Sequence, residues 1–183
     1  MTTTNKYQRV GVFIDIQNLY HSSKHLYRAR VNYRELMREL TMGRQLIRAI
    51  GYVVKSEETS PTREAPRADG QRLTSSEAAF FDALGKSGIE LRVKDLQIFP
   101  DGTKKADWDV GMAVDAIRMA GLLDVIILVT GDGDFVPLVN YLKWGLGRVV
   151  EVSAFGRSAS AKLKEAADVF VDLDQIPKVI LKR

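Results

Sequence analysis

Four aspartates stand where a divalent metal ion would find ligands. Asp15 closes the run VGVFID, Asp132 and Asp134 lie in TGDGDF directly after VIILV, and Asp109 opens a helical stretch after KKADW. Carboxylates gathered at one place repel one another and raise each other's pKa. A divalent cation removes that repulsion. Magnesium takes one or two carboxylates directly and keeps several waters, which leaves room for a phosphate. Such an ion activates water and stabilises the charge that develops on a phosphodiester. The chain has two histidines, His21 and His25, and no cysteine. Thiol catalysis, disulfides, zinc-thiolate sites and histidine-rich centres are therefore excluded, which leaves a hard cation: magnesium, manganese or calcium.

Other chemistries fail on spacing. A calcium loop starting at Asp132 needs a glutamate eleven positions on, where Lys143 stands. The glycines of GDGDFV lack the third glycine of a dinucleotide fingerprint, and acids beside them would repel a pyrophosphate. No glycine-rich loop carries a Walker-type lysine. Ser153 and Ser158 have no histidine partner in the pattern, which argues against a serine hydrolase. A phosphatase or phosphotransferase on an α/β scaffold would want an acid two residues after its nucleophilic aspartate, and the chain reads Asp15-Ile16-Gln17.

Each acid also has an ordinary use. Asp134 precedes FVPLV and serves either the metal or the cap of that helix, whose start Pro137 supports. Asp107 or Asp109 suits the positive end of the helix at Trp108, and Asp107 is read as its cap. Asp132 suits a plain turn. Asp15 is harder to assign this way, because a carboxylate at the end of an apolar strand needs a partner if buried. Gly131 and Gly133 would let the backbone turn sharply and approach a ligand.

The elements that must position these acids alternate. Val10–Ile16, Gln45–Val54, Ile89–Val93, Val125–Thr130, Arg148–Ser153 and Val169–Leu173 read as strands, the first and fourth as nearly unbroken apolar runs buried on both faces. Tyr33–Leu40, Thr74–Gly85, Trp108–Ala120, Phe135–Trp144 and Ser160–Ala167 read as helices. Ser56–Gln71, with Pro61, Pro66 and Gly70, reads as a mobile loop, and Pro100–Gly102 as a turn. Strand–helix alternation implies an α/β domain with a parallel sheet covered on both faces. In such sheets ligands bind beyond the carboxyl ends of the strands, and that is the edge to which all four aspartates belong.

The 183 residues suffice for one domain with a sizeable core, expected over 9–175, with tails at 1–8 and 176–183. No stretch approaches the roughly 20 apolar residues of a membrane helix. The N-terminus lacks the pattern of a secretory signal, and a cytoplasmic protein is expected. The net charge of +4 suggests nucleic acid only weakly. Arg28, Arg30, Arg34, Arg38, Arg44 and Arg48 cluster in one stretch and Arg63, Arg67 and Arg72 in another, and solvated faces are the plain reading of both.

FIDIQNLY, KKADWDVGMAVDA and VTGDGDFVPLV, in that order, resemble the signature blocks of LabA-like NYN domains of the PIN-like nuclease superfamily. The resemblance spans Val10 to Leu173. It implies a Rossmann-like, PIN-like three-layer sandwich with a mostly parallel central sheet. It implies an endoribonuclease-type hydrolase that uses Mg2+ or Mn2+ to cleave single-stranded RNA through metal-activated water. Metal-binding roles pass to Asp15, Asp109, Asp132 and Asp134. Asn18 would orient a phosphate, a water or the Asp15 loop, and Thr130 would line the same pocket. Asp115, about 240° around the helix from Asp109 at roughly 100° per residue, should be a structural partner instead. Beyond the blocks, Lys104 and Lys105 suit phosphate contacts or a solvated loop equally. Arg63, Arg67 and Arg72 suit closure over RNA. Tyr20 and His21 suit stacking on a base, though Leu19 and Tyr20 suit the core equally. The alternative to an enzyme is a non-catalytic RNA-binding or regulatory interaction module on the same fold. Helix faces bearing Leu36, Met37 and Leu40, or Phe80 and Phe81, leave room for a homodimer.

Overall fold

The computed structural model describes residues 5–55, 75–95, 97–98, 104–105 and 107–181. The expected loop at Ser56–Gln71, the turn at Pro100–Gly102, and Arg63, Arg67 and Arg72 lie outside the described residues. In chain order the elements are β1 (Arg9–Asp15), α1 (Ile16–Tyr27), β2 (Arg30–Val31), α2 (Tyr33–Thr41), β3 (Gln45–Lys55), α3 (Ser75–Lys86) and β4 (Glu90–Asp95). There follow β5 (Gln97–Ile98), β6 (Lys104–Lys105), α4 (Asp109–Met119), β7 (Val125–Val129), α5 (Val136–Asn140), β8 (Val149–Ala154), α6 (Ala161–Ala166), β9 (Val169–Asp172) and β10 (Ile180–Leu181).

Six strands form one sheet in the order β4-β3-β1-β7-β8-β9, and each pairing in it is parallel. The chain starts at the centre, lays β3 and β4 to one side, then returns to lay β7, β8 and β9 on the other. The reversal falls between β1 and β7, the point at which an open α/β sheet leaves a crevice at its carboxyl edge. Alternation along the strands explains the layers. Val10, Val12 and Ile14 of β1 join one core cluster with residues of α1, α2 and α3. Phe13 joins the other, with Met112 of α4, Leu138 of α5 and Leu163 of α6. The strand β7 divides likewise, Val125, Ile127 and Val129 against Ile126 and Leu128. Each such side chain, taken from water into the core, stabilises the fold by about 1.5–3 kcal/mol. The result is the three-layer α/β architecture expected. Among the described residues no helix is long and apolar enough to cross a membrane.

The sequence reading placed no helix at Ile16–Tyr27. There α1 begins without a loop, since Asp15 is both the last residue of β1 and the N-cap. Its buried positions are only Ile16, Leu19 and Ser23, a narrow stripe one of whose members is polar. The expected helix Phe135–Trp144 is three pieces: a 3-10 turn at Gly133–Phe135, then α5, then a π turn at Tyr141–Gly145. Residues 176–181, read within a tail, contain β10, which pairs antiparallel with β2. The Val179 carbonyl also accepts from the Asn32 N–H at 2.8 Å, and the Val179 side chain is buried.

Leu36, Met37 and Leu40 are buried in the chain's own core, so they do not offer the dimer surface expected of them. Their i, i+1, i+4 spacing serves intramolecular packing under α2. The arginine stretch is also partly structural. Arg44 is buried and forms a two-pronged ion pair with Glu151, at 2.7 and 2.9 Å. Arg38 pairs with Glu35 and Glu39, and Arg48 with Glu90.

Candidate active site

Asp15 sits at the carboxyl end of β1, one residue beyond the pairing of Ile14 with Val129 of β7. Its side chain turns back to cap α1, accepting the Asn18 N–H at 3.0 Å. Its second oxygen lies 3.5 Å from the Thr130 hydroxyl, a long contact. Burial raises the Asp15 carboxyl above the ordinary carboxylate range, and the charge of Asp132 pushes the same way. The Asn18 N–H and the Thr130 hydroxyl oppose them without cancelling them.

The loop after β7 brings in the next two acids. Buried Thr130 accepts the Asp132 N–H at 3.2 Å through the same hydroxyl that faces Asp15. The Gly131 N–H donates to Asn18 Oδ1 at 3.0 Å. Asn18 therefore joins two elements: its backbone N–H holds Asp15 and its side chain holds the loop of Asp132. Its Oδ1 atom is committed to the Gly131–Asp132 loop, a use other than the three expected for the amide. Asp132 Oδ1 accepts the Asp134 N–H at 3.0 Å and caps the 3-10 turn. The capping role considered for Asp134 thus belongs to Asp132, because the turn starts before α5. Asp134 itself is exposed.

Asp109 is the first residue of α4 and reaches the same place from the far side. Burial raises its carboxyl, followed by the charges of Asp15, Asp132, Asp107 and Asp134 in that order. Five acids consequently share one electrostatic neighbourhood. Asp107 is exposed and does not cap α4: the N-cap position is Trp108, which makes no side-chain capping bond. Instead the Asp107 carbonyl accepts from Lys94 Nζ at 3.1 Å.

Supporting residues outside the acids were not singled out as such from the sequence. Trp108 Nε1 donates to the Val53 carbonyl at 2.9 Å, and its ring lies 5.5 Å from that of Tyr52. The Tyr52 hydroxyl donates to Asp115 at 3.1 Å, and Arg92 stands 3.6 Å from the same carboxylate. This network anchors α4 to β3 and so fixes Asp109, with Asp115 in the structural role expected of it. The tryptophan next to an acid, followed by Gly111, was the available signal, since a Cβ at Gly111 would stand 2.6 Å from the Trp108 ring. Gly131 and Gly133 need no left-handed backbone; neither has a positive φ. They are small because the segment after β8 crosses them. A Cβ at Gly131 would lie 3.2 Å from the Ala159 Cα, and one at Gly133 would lie 2.8 Å from the Ser160 hydroxyl. The Ser160 N–H donates to the Gly131 carbonyl at 2.9 Å, which completes the packing.

The basic residues join less firmly. Lys104 and Lys105 form β6, paired with β5 just before Asp107, and their side chains lie outside what is described. Among the described residues no three acidic, histidine or cysteine side chains form a closed ligand cluster. The acids share a field without making a cage. Their carboxylate oxygens are the donor type that a hard divalent cation takes.

A family model of the NYN domain matches residues 9–174. The chain belongs to the NYN domain family. Low amplitude and bright protein LabA of Synechococcus elongatus is 29% identical to it over 119 residues, covering 62% of this chain and 63% of LabA. The chain thus aligns with under two thirds of that relative's length. A solved structure of VPA0982, a protein of unknown function from Vibrio parahaemolyticus, superimposes with a TM-score of 0.81 at 28% identity, covering 98% of this chain and all of the other. The chain's similarity to LabA agrees with the resemblance that its three sequence blocks carry. NYN domains are generally nuclease-like hydrolases, and typically use divalent metals.

Proposed function

We propose that this NYN domain is a metal-dependent ribonuclease that hydrolyses phosphodiester bonds of single-stranded RNA. The observation that carries the reading is the shared field: Asp15 and Asp109, brought from β1 and α4, are each raised by burial and by neighbouring acids. Like charges held together in a half-buried crevice are costly unless a cation joins them. Asp15, Asp109 and Asp132 would hold Mg2+ or Mn2+, with Asp134 at the exposed rim. The ion, when bound, supplies a water of lowered pKa and neutralises charge on the phosphate.

The chain's own groups do the positioning. Asp132 commits one oxygen to the Asp134 N–H and has a second for a ligand. The Thr130 hydroxyl sets Asp132 relative to Asp15. Asn18 locks the two acid-bearing segments together. The test is RNA cleavage in manganese by the wild type and by Asp15→Asn and Asp132→Asn. Activity equal in all three would expose a contaminant and refute the assignment. The open spacing of the acids favours one alternative, a non-catalytic RNA-binding module. RNA binding that survives chelation, with no turnover in any metal, would select it.

A further inference from the structure

The residues directly after Asp15 open onto a cleft of about 320 Å3 whose walls include Ile16, Gln17, Tyr20, His21, Phe80 and Phe81. It lies on the α1 and α3 side of the sheet, apart from the acids. Four of these six side chains carry rings. Tyr20 and His21 meet edge to face at 5.5 Å, and Phe80 and Phe81 lie 6.2 Å apart on the opposite helix. Phe80 and Phe81 are partly buried against the core, whereas Tyr20 is 44% exposed. Lys24 Nζ stands 5.5 Å from the centre of the Tyr20 ring and 3.5 Å from its hydroxyl.

Resting on the ribonuclease reading, we infer that this cleft receives a nucleobase adjoining the phosphate held at Asp15. A base offers two π faces for the Tyr20 and phenylalanine rings, and unpaired bases of single-stranded nucleic acid are held by such stacking whatever their identity. Gln17, on the wall nearest Asp15, offers both an amide donor and an acceptor to a base edge. Lys24 places positive charge beside the aromatic wall, where the next phosphate of the strand would run. The strand thereby crosses from the acidic crevice to a ring-lined cleft with Lys24 beside Tyr20 and Glu77 on its wall, its phosphate at the one and its base at the other.

The experiment scans a single abasic site along a short single-stranded RNA and measures binding by fluorescence anisotropy in manganese, over a time in which a gel shows the RNA intact. With wild-type protein one abasic position should weaken binding roughly tenfold, the loss of one stacked base. In Tyr20→Ala the intact RNA should bind roughly tenfold more weakly and that abasic position should cost nothing further. Tyr20→Phe should behave as wild type, and His21→Ala gives the same comparison if Tyr20→Ala does not fold. Equal abasic losses in wild type and variant, or no RNA binding by the wild type, would overturn the inference. So would a dimer that Tyr20→Ala dissociates, which would give the cleft to a second copy. Binding and cleavage are read separately. Abasic sensitivity without turnover keeps the pocket and refutes the ribonuclease, whereas turnover without Tyr20-dependent sensitivity does the reverse.

Discussion

Replacing Asn18 by alanine separates a tie within the site from a contact to substrate. The side chain accepts the N–H of Gly131, a buried residue, at 3.0 Å across a sequence separation of 113. Alanine leaves that donor without its partner, which costs about 1–3 kcal/mol. The cap of α1 survives, because Asp15 accepts the backbone N–H of residue 18 and not its side chain. In a chain of 183 residues each kcal/mol lowers the melting midpoint by roughly 2–4 °C. Loosening the Gly131–Asp132 segment should also weaken metal binding by about 10- to 100-fold, the usual effect of removing a partner behind a ligand. Urea unfolding gives the stability, with the midpoint shifting and the slope unchanged. A manganese titration followed by the melting midpoint gives the affinity. Asn18→Asp is the control. It keeps an acceptor in place but adds another negative charge to the acidic field, so it should retain more stability than the alanine variant in manganese than in chelator. If Asn18→Ala abolished cleavage while leaving stability and manganese affinity untouched, the tie would be wrong and Asn18 would act on the substrate.

Arg44→Ala should cost about 3–5 kcal/mol, because it strands the mostly buried Glu151 carboxylate and removes the side-chain donor to the Leu40 and Thr41 carbonyls. Pairing Arg44→Met with Glu151→Leu should recover most of the loss in urea unfolding, and a double variant no better than Arg44→Met alone would refute the unpaired-charge account. For Asp15 and Asp109 the folded carboxyls lie above the unfolded value of 3.8, so the native state holds protons longer and stability falls as pH rises from about 3.8 through the folded pKa. Asp124, lowered to about 2 mainly by its hydrogen bonds from Arg9, works in the opposite sense as pH rises between about 2 and 3.8. In chelator at neutral pH Asp15→Asn, which keeps a good N-cap, should therefore melt no lower than wild type, and manganese should raise the wild type alone. A lower melting point for Asp15→Asn in chelator would contradict this. Gly131→Ala should cost about 1–3 kcal/mol by pressing on the Ala159 backbone, and a variant as stable and active as wild type would show that the segment after β8 yields freely.

The strands were legible because parallel strands buried on both faces leave unbroken apolar runs, and β1 and β7 show them most plainly. The edge shared by the acids followed from that, since each acid ends a strand or starts what comes after one. What was not legible depends on long-range geometry. The start of α1 was hidden because Asp15 serves strand, cap and site together. Arg44 read as surface because its partner is Glu151, 107 residues away, and only the fold brings the two together. The glycines of TGDGDF suggested approach by a ligand, and the closest approach in the fold is by Ala159 and Ser160.

These hidden features share one physical role. The acids repel, so the hydrophobic core alone would favour any relaxation that moves them apart. Hydrogen bonds oppose that relaxation: two between neutral groups, Asn18 to Gly131 and Thr130 to the Asp132 N–H, and Tyr52 to the Asp115 carboxylate behind α4. Apart from Asp115, itself balanced by Arg92, none of these ties puts a further charge near the acids. A lysine or arginine in their place would have quenched the repulsion and, with it, the attraction for a cation. Holding Asp15 and Asp132 by neutral groups fixes their geometry without a cation at either carboxylate, and the Lys94 ammonium is engaged by the Asp107 carbonyl, a combination that suits a divalent ion and a phosphate.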